Sequence, residues 1–341
     1  MTRIPKVAVV IIHWNRKELL KKFLPGVIDS SYPNLEVILA DNASTDGSVE
    51  YVKENFPSVK IIVNDGNYGY AGGYNRCLQH VSADYFILLN NDIEVIEGWI
   101  EPVIQAMEAD PSLGACQPKM LDYHQRNRFE YAGACGGYMD RLGYVFCRGR
   151  IFESLEEDHG QYDSDVFIFW ATGACMFVRA EAFRKAEGFD EQFFAHMEEV
   201  DLCWRMQLLG YKIKVIPSSH VYHVGGGTLN KMNPQKTFLN FRNNIIMLTK
   251  NMPGNILIWL IPLRIAMDLL SSVYFLFNGF PRYTLAVFRA HIFYYSGLRK
   301  WWKQRNKTPS ATRKQAFPGV YQGSIVAAHF IEKKNIFTDL T

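Results

Sequence analysis

Three acidic residues, Glu198, Glu199 and Asp201, stand together where a helical pattern begins. Apolar residues follow at intervals of four positions, and Gly210 ends the pattern. Acidic side chains in the first turn of a helix interact favourably with the helix dipole, but one acid would be enough for that purpose. Three neighbouring acids repel one another and raise at least one pKa, which suits a general base acting on a hydroxyl group. We therefore predict that this cluster carries the catalytic base.

A second polar group, Asn90, Asn91 and Asp92, follows an apolar run over residues 85–89 that predicts a buried strand. Open α/β sheets bind their ligands at the carboxyl ends of the strands. Oxygen donors at that place suit a hard cation such as Mg²⁺ or Mn²⁺, and the cation could hold a diphosphate. Considered alone, the three residues are better explained as an ordinary polar turn. The prediction of a cation site therefore depends on the other motifs in the chain.

Two further loops could contact a nucleotide. Asp41 ends the second predicted strand, where its carboxylate could accept a hydrogen bond from a base or a ribose. After the third predicted strand, three glycines lead into a helix and could let the backbone approach a phosphate or a sugar. A flexible loop is an equally good explanation of that segment. We expect donor contacts from Asp41 and from the following residues: Asn15, Asn67, Gly72, Gly73, Asn75, Asn90 and Asn91.

The second half of the chain carries the residues expected on the acceptor side. Trp170 interrupts a pair of predicted strands, and its indole could stack on a sugar beside the small neighbours Thr172 and Gly173. A tryptophan packed in the core beside a bulge is at least as good an explanation. His223 precedes three glycines, which would let the backbone fold over a diphosphate and bring an imidazole to a metal ion.

The apolar pattern places these groups on an α/β fold. Residues 7–12, 35–39, 60–63 and 85–89 are predicted strands, and helical patterns separate them. This alternation predicts a mostly parallel central sheet with helices on both faces. Residues 122–163 show no clear period, and we expect them to cross the mouth of the site. The chain lacks a Walker lysine and has no dinucleotide-binding fingerprint after the first strand, which excludes those two nucleotide-binding classes.

Charge is distributed unevenly along the chain. The 341 residues carry a net charge of +3, which is too small to indicate a nucleic-acid partner. No aspartate or glutamate occurs from Leu269 to Ile331, a segment rich in aromatic and basic residues. This composition predicts an amphipathic helical extension that lies on a membrane surface. A helical subdomain packed on the core and a transmembrane hairpin are the alternatives.

These patterns predict a catalytic domain over residues 1–235, with a nucleotide-binding half (1–97) and an acceptor and catalytic half (98–235). A helical, membrane-associated extension (236–307) and a loose tail (308–341) follow. The six cysteines lack metal spacing, which predicts buried free thiols in a reducing compartment, although a Cys135–Cys147 disulfide stays open. The amino terminus carries no secretory signal, so we expect a cytoplasmic protein on the inner face of the cell membrane, with a homodimer as a further possibility.

In their order, these motifs resemble glycosyltransferase family 2, in its rhamnosyltransferase-like branch. The resemblance covers residues 6–250 and rests on residues 41–47, 67–75, 90–92 and 198–205 and on His223. It implies a GT-A fold, a nucleotide-sugar donor, a divalent cation (Mg²⁺ or Mn²⁺) and inversion at the anomeric carbon.

The resemblance also implies roles for single residues. Asp41 matches the family's base-recognising aspartate, and His223 matches its metal or diphosphate histidine. Asp92 matches the metal ligand of a DxD motif in which Asn90 replaces the first aspartate, a change that should weaken metal affinity. Glu199 matches the catalytic base, with Glu198 as the second choice, and Asp201 would orient the helix that carries them.

The sequence therefore predicts an inverting, metal-dependent glycosyltransferase. Its donor would be dTDP-rhamnose or a UDP-sugar, and its acceptor a hydroxyl of a lipid-linked or cell-surface glycan precursor, such as a polyprenyl-diphosphate-linked glycan. A polyprenyl-phosphate sugar synthase is one alternative. A non-catalytic membrane scaffold that only binds nucleotide sugar is another.

Overall fold

A computed structural model of the chain describes residues 3–225, 233–305 and 316–340. The strands are β1 (Val7–His13), β2 (Leu35–Asp41), β3 (Lys60–Val63), β4 (Tyr85–Asn90), β5 (Ile93–Val95), β6 (Leu113–Asp122), β7 (Gly137–Asp140), β8 (Val145–Cys147), β9 (Arg150–Ile151), β10 (Ser154–Leu155), β11 (Val166–Ile168), β12 (Cys175–Arg179), β13 (Lys212–His223) and β14 (Val320–Tyr321). The helices are α1 (Lys17–Ile28), α2 (Ser48–Asn55), α3 (Gly69–Leu78), α4 (Glu101–Ala109), α5 (Ala180–Lys185), α6 (Glu198–Leu208), α7 (Pro234–Asn251), α8 (Gly254–Phe277), α9 (Pro281–Ser296), α10 (Leu298–Arg305) and α11 (Ile325–Phe330).

The central sheet separates two hydrophobic cores. Along β1, Val7, Val9 and Ile11 pack in one core, whereas Ala8 and Val10 pack in the other. Successive side chains of a strand point to opposite faces, so a strand covered on both faces needs an unbroken apolar run. Helix α3 covers one face, and α1 and α4 cover the other.

In the central sheet the strands follow the order β11-β13-β6-β12-β4-β1-β2-β3, and β5 pairs with β13. Strands β1 to β4 are parallel, as the sequence predicts. Strand β12 lies antiparallel between β4 and β6, and β5 and β11 lie antiparallel to β13. The other six strands of this sheet run in one direction, so the sheet is mostly parallel, as predicted. A crossover helix makes parallel pairing natural, whereas β12 enters the sheet after a long excursion that imposes no direction.

That excursion builds a second sheet, which the sequence pattern did not predict. Its strands follow the order β10-β9-β8-β7-β14, and Val320 of β14 pairs with Met139 of β7. Ile325 of α11 is buried against Phe146 and Ile151. Residues 316–340 are therefore packed onto the excursion, and the predicted loose tail is wrong for this part. Residues 308–315 and 341 lie outside the described residues.

Helix α7 belongs to the main core rather than to a separate extension. Its residues Ile245, Met247 and Leu248 share one hydrophobic cluster with Val200 and Trp204 of α6. The predicted domain boundary at residue 235 therefore does not coincide with a break in packing. Helices α8 to α10 follow, and among the described residues only α8 is long and apolar enough to cross a membrane. All six cysteines are buried free thiols, so Cys135 and Cys147 are not bridged.

Candidate functional site

The predicted donor residues lie where the parallel strands end. His13 pairs with Asp41 in the register of β1 and β2, and the end of β4 brings Asn90 beside the same edge. His13 Nδ1 is 2.8 Å from the side-chain nitrogen of Asn91, and its Nε2 is 2.9 Å from Oγ of Ser48. Burial lowers the pKa of His13 to about 4, so the ring is neutral near pH 7. It therefore links two of the loops at this edge without adding charge.

Asp41 keeps one carboxylate oxygen available. The side chain is buried, and Oδ2 accepts a hydrogen bond of 2.8 Å from the Ser44 amide. No described group donates to its Oδ1. Asn15 lies close by with a positive φ of 57°, and its Oδ1 accepts from the Thr45 amide at 2.9 Å. A buried carboxylate oxygen without a donor suits a ligand N–H or O–H group.

Gly72 and Gly73 are needed for packing inside the protein. A Cβ at Gly73 would lie 2.6 Å from Cδ1 of Ile12, and one at Gly72 would lie 2.9 Å from Cβ of Tyr68. Both distances are too short for any larger residue without movement of the neighbours. The close approach predicted from these glycines therefore occurs between α3 and its own protein surroundings.

Asn67 and Asn75 also hold the local chain. Asn67 Oδ1 accepts a hydrogen bond from the Gly69 amide at 3.0 Å, which starts α3. Asn75 donates to the carbonyl of Phe189 at 2.8 Å and accepts from the amide of the same residue at 3.0 Å. These contacts connect the donor loop to the segment that precedes the acidic helix α6.

Asp92 and His223 form a buried pair beside the end of β4. Asp92 Oδ1 lies 3.1 Å from His223 Nε2, and Glu130 Oε1 lies 3.2 Å from His223 Nδ1. Burial alone would lower the pKa of His223, but the two carboxylates outweigh it and hold the pKa well above its ordinary value. Burial likewise opposes ionisation of Asp92, but His223 keeps the pKa of this carboxyl below its ordinary value. Glu130 could not be predicted for this site because no spacing in the sequence connects it to His223.

The chemistry of this pair fits a divalent cation. Within the described residues, no three His, Cys, Asp or Glu side chains are arranged to hold a metal ion. A Mg²⁺-like cation at a phosphate site, however, usually keeps several waters and needs only one or two protein carboxylates besides the phosphates. Asp92 offers a carboxylate, and His223 offers an imidazole once a bound cation displaces the ring proton that the two carboxylates favour. The pair therefore suits a cation shared with a diphosphate.

Two adjacent carboxyl groups are buried at the start of α6. Glu198 is a buried residue and Glu199 a half-buried one, and Oε2 of each has no described hydrogen-bond partner. Burial raises the pKa of Glu199 to about 7. Burial, followed by the charge of Glu199, raises the pKa of Glu198 well above its ordinary value. A carboxyl group with a raised pKa can take up a proton near pH 7, which suits the general base predicted for this cluster.

Asp201 anchors the helix and is not available as a base. Its oxygens accept hydrogen bonds from Arg205 at 2.7 Å, Asn251 at 2.8 Å and Lys250 at 3.1 Å. Although burial opposes ionisation, Lys250 and Arg205 lower the pKa of Asp201 to about 2. These contacts suit the orienting role that the resemblance implies for Asp201, and they do not support its place among the candidates for the base.

The segment before α6 is strained and is held by α7. Phe194, His196 and Met197 have positive φ angles of 63°, 70° and 71°, a region that non-glycine residues rarely adopt. The side-chain amide of Asn243 donates to the carbonyls of Phe193 at 3.0 Å, Ala195 at 2.9 Å and His196 at 2.7 Å. The Phe194 carbonyl also accepts from the amide of Tyr70 in α3 at 2.8 Å. This segment therefore connects α3 to α6. The only sequence signal for Asn243 is an amide within an apolar helical stripe.

The predicted acceptor residues are mostly covered. The Trp170 indole is 5% exposed, packs over Gly137 and donates to the Tyr138 carbonyl at 3.0 Å. Thr172 is buried, with its hydroxyl bonded to a backbone carbonyl. The structure therefore supports the core alternative for Trp170, because its ring offers no free face for a sugar. Gly173 accepts from the Tyr70 hydroxyl at 2.7 Å, so this segment borders the site through Tyr70.

Comparison with other sequences identifies relatives of the chain. The model described as "Glycosyl transferase family 2" matches residues 8–185, just over half of the chain. An N-acetylglucosaminyl-diphospho-decaprenol L-rhamnosyltransferase of Mycobacterium tuberculosis is 27% identical over 230 residues, which cover 63% of this chain and 75% of that protein. The rhamnosyltransferase WbbL of Escherichia coli is 21% identical over 224 residues, which cover 64% of this chain and 83% of that protein.

Solved structures share the fold. GalNAc-T7, crystallised with UDP, GalNAc and Mn²⁺, has a TM-score of 0.58 at 15% identity over 75% of this chain, which spans about half (49%) of that one. The mannosyltransferase PcManGT of Pyrobaculum calidifontis, in complex with GDP-Man and Mn²⁺, has a TM-score of 0.50 at 16% identity and covers 89% of this chain and 85% of that one. At these identities the likeness shows the fold alone, a GT-A-like α/β fold with an added helical carboxyl-terminal part. Together with the family match over more than half of the chain, it establishes that the protein belongs to glycosyltransferase family 2 and is similar to the rhamnosyltransferases of that family.

Proposed function

We propose that the protein transfers a sugar, with inversion, from a nucleoside diphosphate donor to a hydroxyl of a lipid-linked glycan precursor. The observation that carries the proposal is Glu199 at the start of α6, a carboxyl group whose pKa burial raises to about 7. Relatives named as rhamnosyltransferases support dTDP-rhamnose as the donor, with a UDP-sugar as the alternative. The decaprenol-diphosphate in one of those names supports a polyprenyl-diphosphate-linked acceptor at the cytoplasmic face of the membrane.

The donor would lie along the edge where the parallel strands end. Asp41 Oδ1, which no described group donates to, would accept a hydrogen bond from the base or the ribose. Asp92 and His223 would hold a divalent cation together with the diphosphate. Such a cation, when bound, neutralises the negative charge that grows on the departing diphosphate.

The transfer requires one base and one leaving group. Glu199 takes the proton of the acceptor hydroxyl as that oxygen forms its bond to the anomeric carbon. The bond from this carbon to the diphosphate oxygen breaks at the same time, and the nucleoside diphosphate leaves with the electron pair. Attack from the side opposite the leaving group inverts the anomeric configuration. Burial, followed by the charge of Glu199, raises the pKa of the neighbouring Glu198, which disfavours a second negative charge beside Glu199.

A binding titration tests the donor half of this proposal. The full chain is titrated with dTDP-, UDP- and GDP-sugars in the presence of Mn²⁺ and again with EDTA. We expect one donor class to bind, at least about tenfold more weakly with EDTA or in Asp92→Ala, which corresponds to about 1.4 kcal/mol. Asp29→Ala, an exposed aspartate at the end of α1, is the matched control and should bind as the wild type does. Folded protein that binds none of these donors would contradict the proposal.

A further inference from the structure

Helix α8 has its apolar side chains on the outer face and its polar side chains on the inner face, the reverse of a surface helix in a soluble domain. Its outward side chains are apolar, with Ile258 79%, Leu270 69% and Phe277 85% exposed. Its polar residues Arg264 and Asp268 point inward and are buried. A surface helix of a soluble domain shows the opposite arrangement, with its apolar stripe toward the core. Other exposed apolar residues continue the outward face, namely Trp259, Leu263, Leu269, Val273, Tyr274 and Leu276.

Polar contacts at the middle of the helix fix which face points outward. Arg264 donates to the Leu142 carbonyl at 3.0 Å, and its guanidinium lies 3.7 Å from the ring centroid of Tyr144. Asp268 lies 3.9 Å from Arg264 and 3.2 Å from Nε2 of His291 in α9. The inner face is therefore tied to the second sheet and to the neighbouring helix, and α8 cannot turn its apolar face inward without breaking these contacts.

The neighbouring helices add apolar and basic side chains. On α9, Leu285 and Ile292 are 59% and 69% exposed. The sequence has no acidic residue from Leu269 to Ile331, so the basic residues beside this surface have no acidic neighbours in that part of the chain. Exposed basic residues occur on both α9 and α10, namely Arg282, Arg289, Arg299, Lys300 and Lys303.

We propose that the outer faces of α8 and α9, here called the lipid-facing surface, lie in the interfacial layer of an anionic bilayer. Exposed apolar groups beside one-sided positive charge match the acyl chains and headgroups of such a membrane. A second copy of the chain fits less well, because a symmetric contact would bring the same basic residues together. The surface would bring the site of the proposed function to a lipid-linked acceptor, but it does not depend on that function.

The anchoring of α8 argues for a helix that lies on the membrane without crossing it. Arg264, near the middle of α8, is bonded to the catalytic part of the chain. Only the part of α8 from residue 265 to Phe277 lies beyond this contact, which is shorter than the roughly 20 residues that a bilayer requires. The helix therefore spans a membrane only if this contact is lost.

Vesicle flotation tests the lipid-facing surface. The full chain is floated with vesicles of phosphatidylcholine containing about 30% phosphatidylglycerol, and with phosphatidylcholine alone. We expect binding to the anionic vesicles, weaker binding to the neutral ones, and a loss of at least about tenfold in the double variant Leu270→Asp with Phe277→Asp. Val63→Asp, which changes a 54% exposed residue on edge strand β3, should float as the wild type does.

Three outcomes would overturn the inference. Flotation of the double variant equal to that of the wild type would exclude the surface as the binding element. If the wild type does not float but forms a dimer, and the double variant is a monomer, the surface would be assigned to a second copy.

In membrane vesicles with the cytoplasmic face outside, Asn278→Cys should react with an impermeant maleimide without detergent. The six native cysteines are buried and should not react. Reaction only after detergent would show that α8 crosses the membrane. Donor binding by the double variant in the absence of vesicles separates these failures from a failure of the proposed function.

Discussion

At the residue scale, burial makes two adjacent carboxyl groups hard to ionise. It raises the pKa of Glu199 to about 7 and the pKa of Glu198 well above its ordinary value. One turn after Glu198, Lys250 and Arg205 outweigh burial and lower the pKa of Asp201 to about 2. The cluster thus combines two carboxyl groups with raised pKa values and one that stays ionised within four residues.

Removal of the base should affect turnover more than binding. We expect Glu199→Gln to lower kcat by about 10² to 10⁴-fold, because general base catalysis contributes in that range. Donor affinity should change little, since Glu199 acts on the acceptor. Steady-state kinetics of sugar transfer measure both quantities. Glu181→Gln, an exposed glutamate on α5 paired with Lys185, is the matched control and should retain full kcat. A larger loss in Glu198→Gln than in Glu199→Gln would assign the base to Glu198.

The pH dependence of turnover should follow the raised pKa of Glu199. The base acts in its ionised form, so kcat should increase with pH through about 7 and level off above it. The residual kcat of Glu199→Gln should lack this step. A wild-type profile that is flat from pH about 5 to about 8 would contradict a base buried in this way.

The role of a single residue could be predicted where a motif requires a particular chemical group. It was harder to predict where packing determines what the side chain contacts. Asp92 and His223 do meet, although 131 positions separate them in the chain. A glycine in a sequence, in contrast, does not show whether the backbone approaches a ligand or another part of the protein. The structure shows that Gly73 packs against Ile12. Trp170 presents the same ambiguity, because a large aromatic side chain fills a core as readily as it binds a sugar.

At the element scale, α7 holds the strained segment in front of α6. Backbone in the positive φ region costs on the order of 1–3 kcal/mol per residue and persists only where the surroundings enforce it. Asn243 and Arg242 supply that enforcement through the carbonyls of the segment. The position of Glu199 therefore depends on a helix about 45 residues further along the chain.

Loss of the Asn243 amide should loosen the segment. We expect Asn243→Ala to lower the free energy of unfolding by about 2 kcal/mol or more, because buried carbonyls lose their donor. Asn243→Asp preserves the size but replaces the donor with an acceptor, so its loss should be at least as large. Chemical denaturation measures both. Asn55→Ala removes a comparable side-chain bond on exposed α2 and should change stability by under about 0.5 kcal/mol. Equal effects at residues 55 and 243 would contradict this role of α7.

Elements with a regular period could be predicted, and those without one could not. Strands β1, β2 and β4 are covered on both faces and appear as apolar runs in the sequence. Strands β8 to β10 have only two or three residues each, which is too short for a period to be visible. The sheet that they form is completed by β14, which pairs with β7 and lies more than 150 residues further along the chain.

At the scale of the whole molecule, the carboxyl-terminal residues complete the fold instead of trailing from it. Strand β14 extends the second sheet, and the Ile325 amide donates to Asp140 at 2.9 Å. Ile325→Ala should lower the free energy of unfolding by about 2 to 5 kcal/mol, as expected for a buried isoleucine. Ile331→Ala, at a residue that is 78% exposed, is the matched control and should have little effect. Similar stabilities of the two variants in thermal or chemical denaturation would show that this region does not support the fold.

Such long-range closure is not visible in the sequence. The final segment follows a basic stretch, and its elements β14 and α11 have only two and six residues, which is too short for a period to be visible. Its order depends on single anchors, such as Ile325, that fit a surface built by residues 137–155. The class of the fold, in contrast, follows from the many apolar periods of the first hundred residues.

The most direct test of the central claim is the configuration of the transferred sugar. The full chain is incubated with the nucleotide sugar that binds it, Mn²⁺ and a synthetic polyprenyl-diphosphate-linked acceptor, and the anomeric carbon of the product is examined by NMR. We predict that the new glycosidic bond has the configuration opposite to that of the donor. The Glu181→Gln variant should form this product at the wild-type rate, and the Glu199→Gln variant should form it much more slowly. A product with retained configuration, or full transfer by Glu199→Gln, would contradict it.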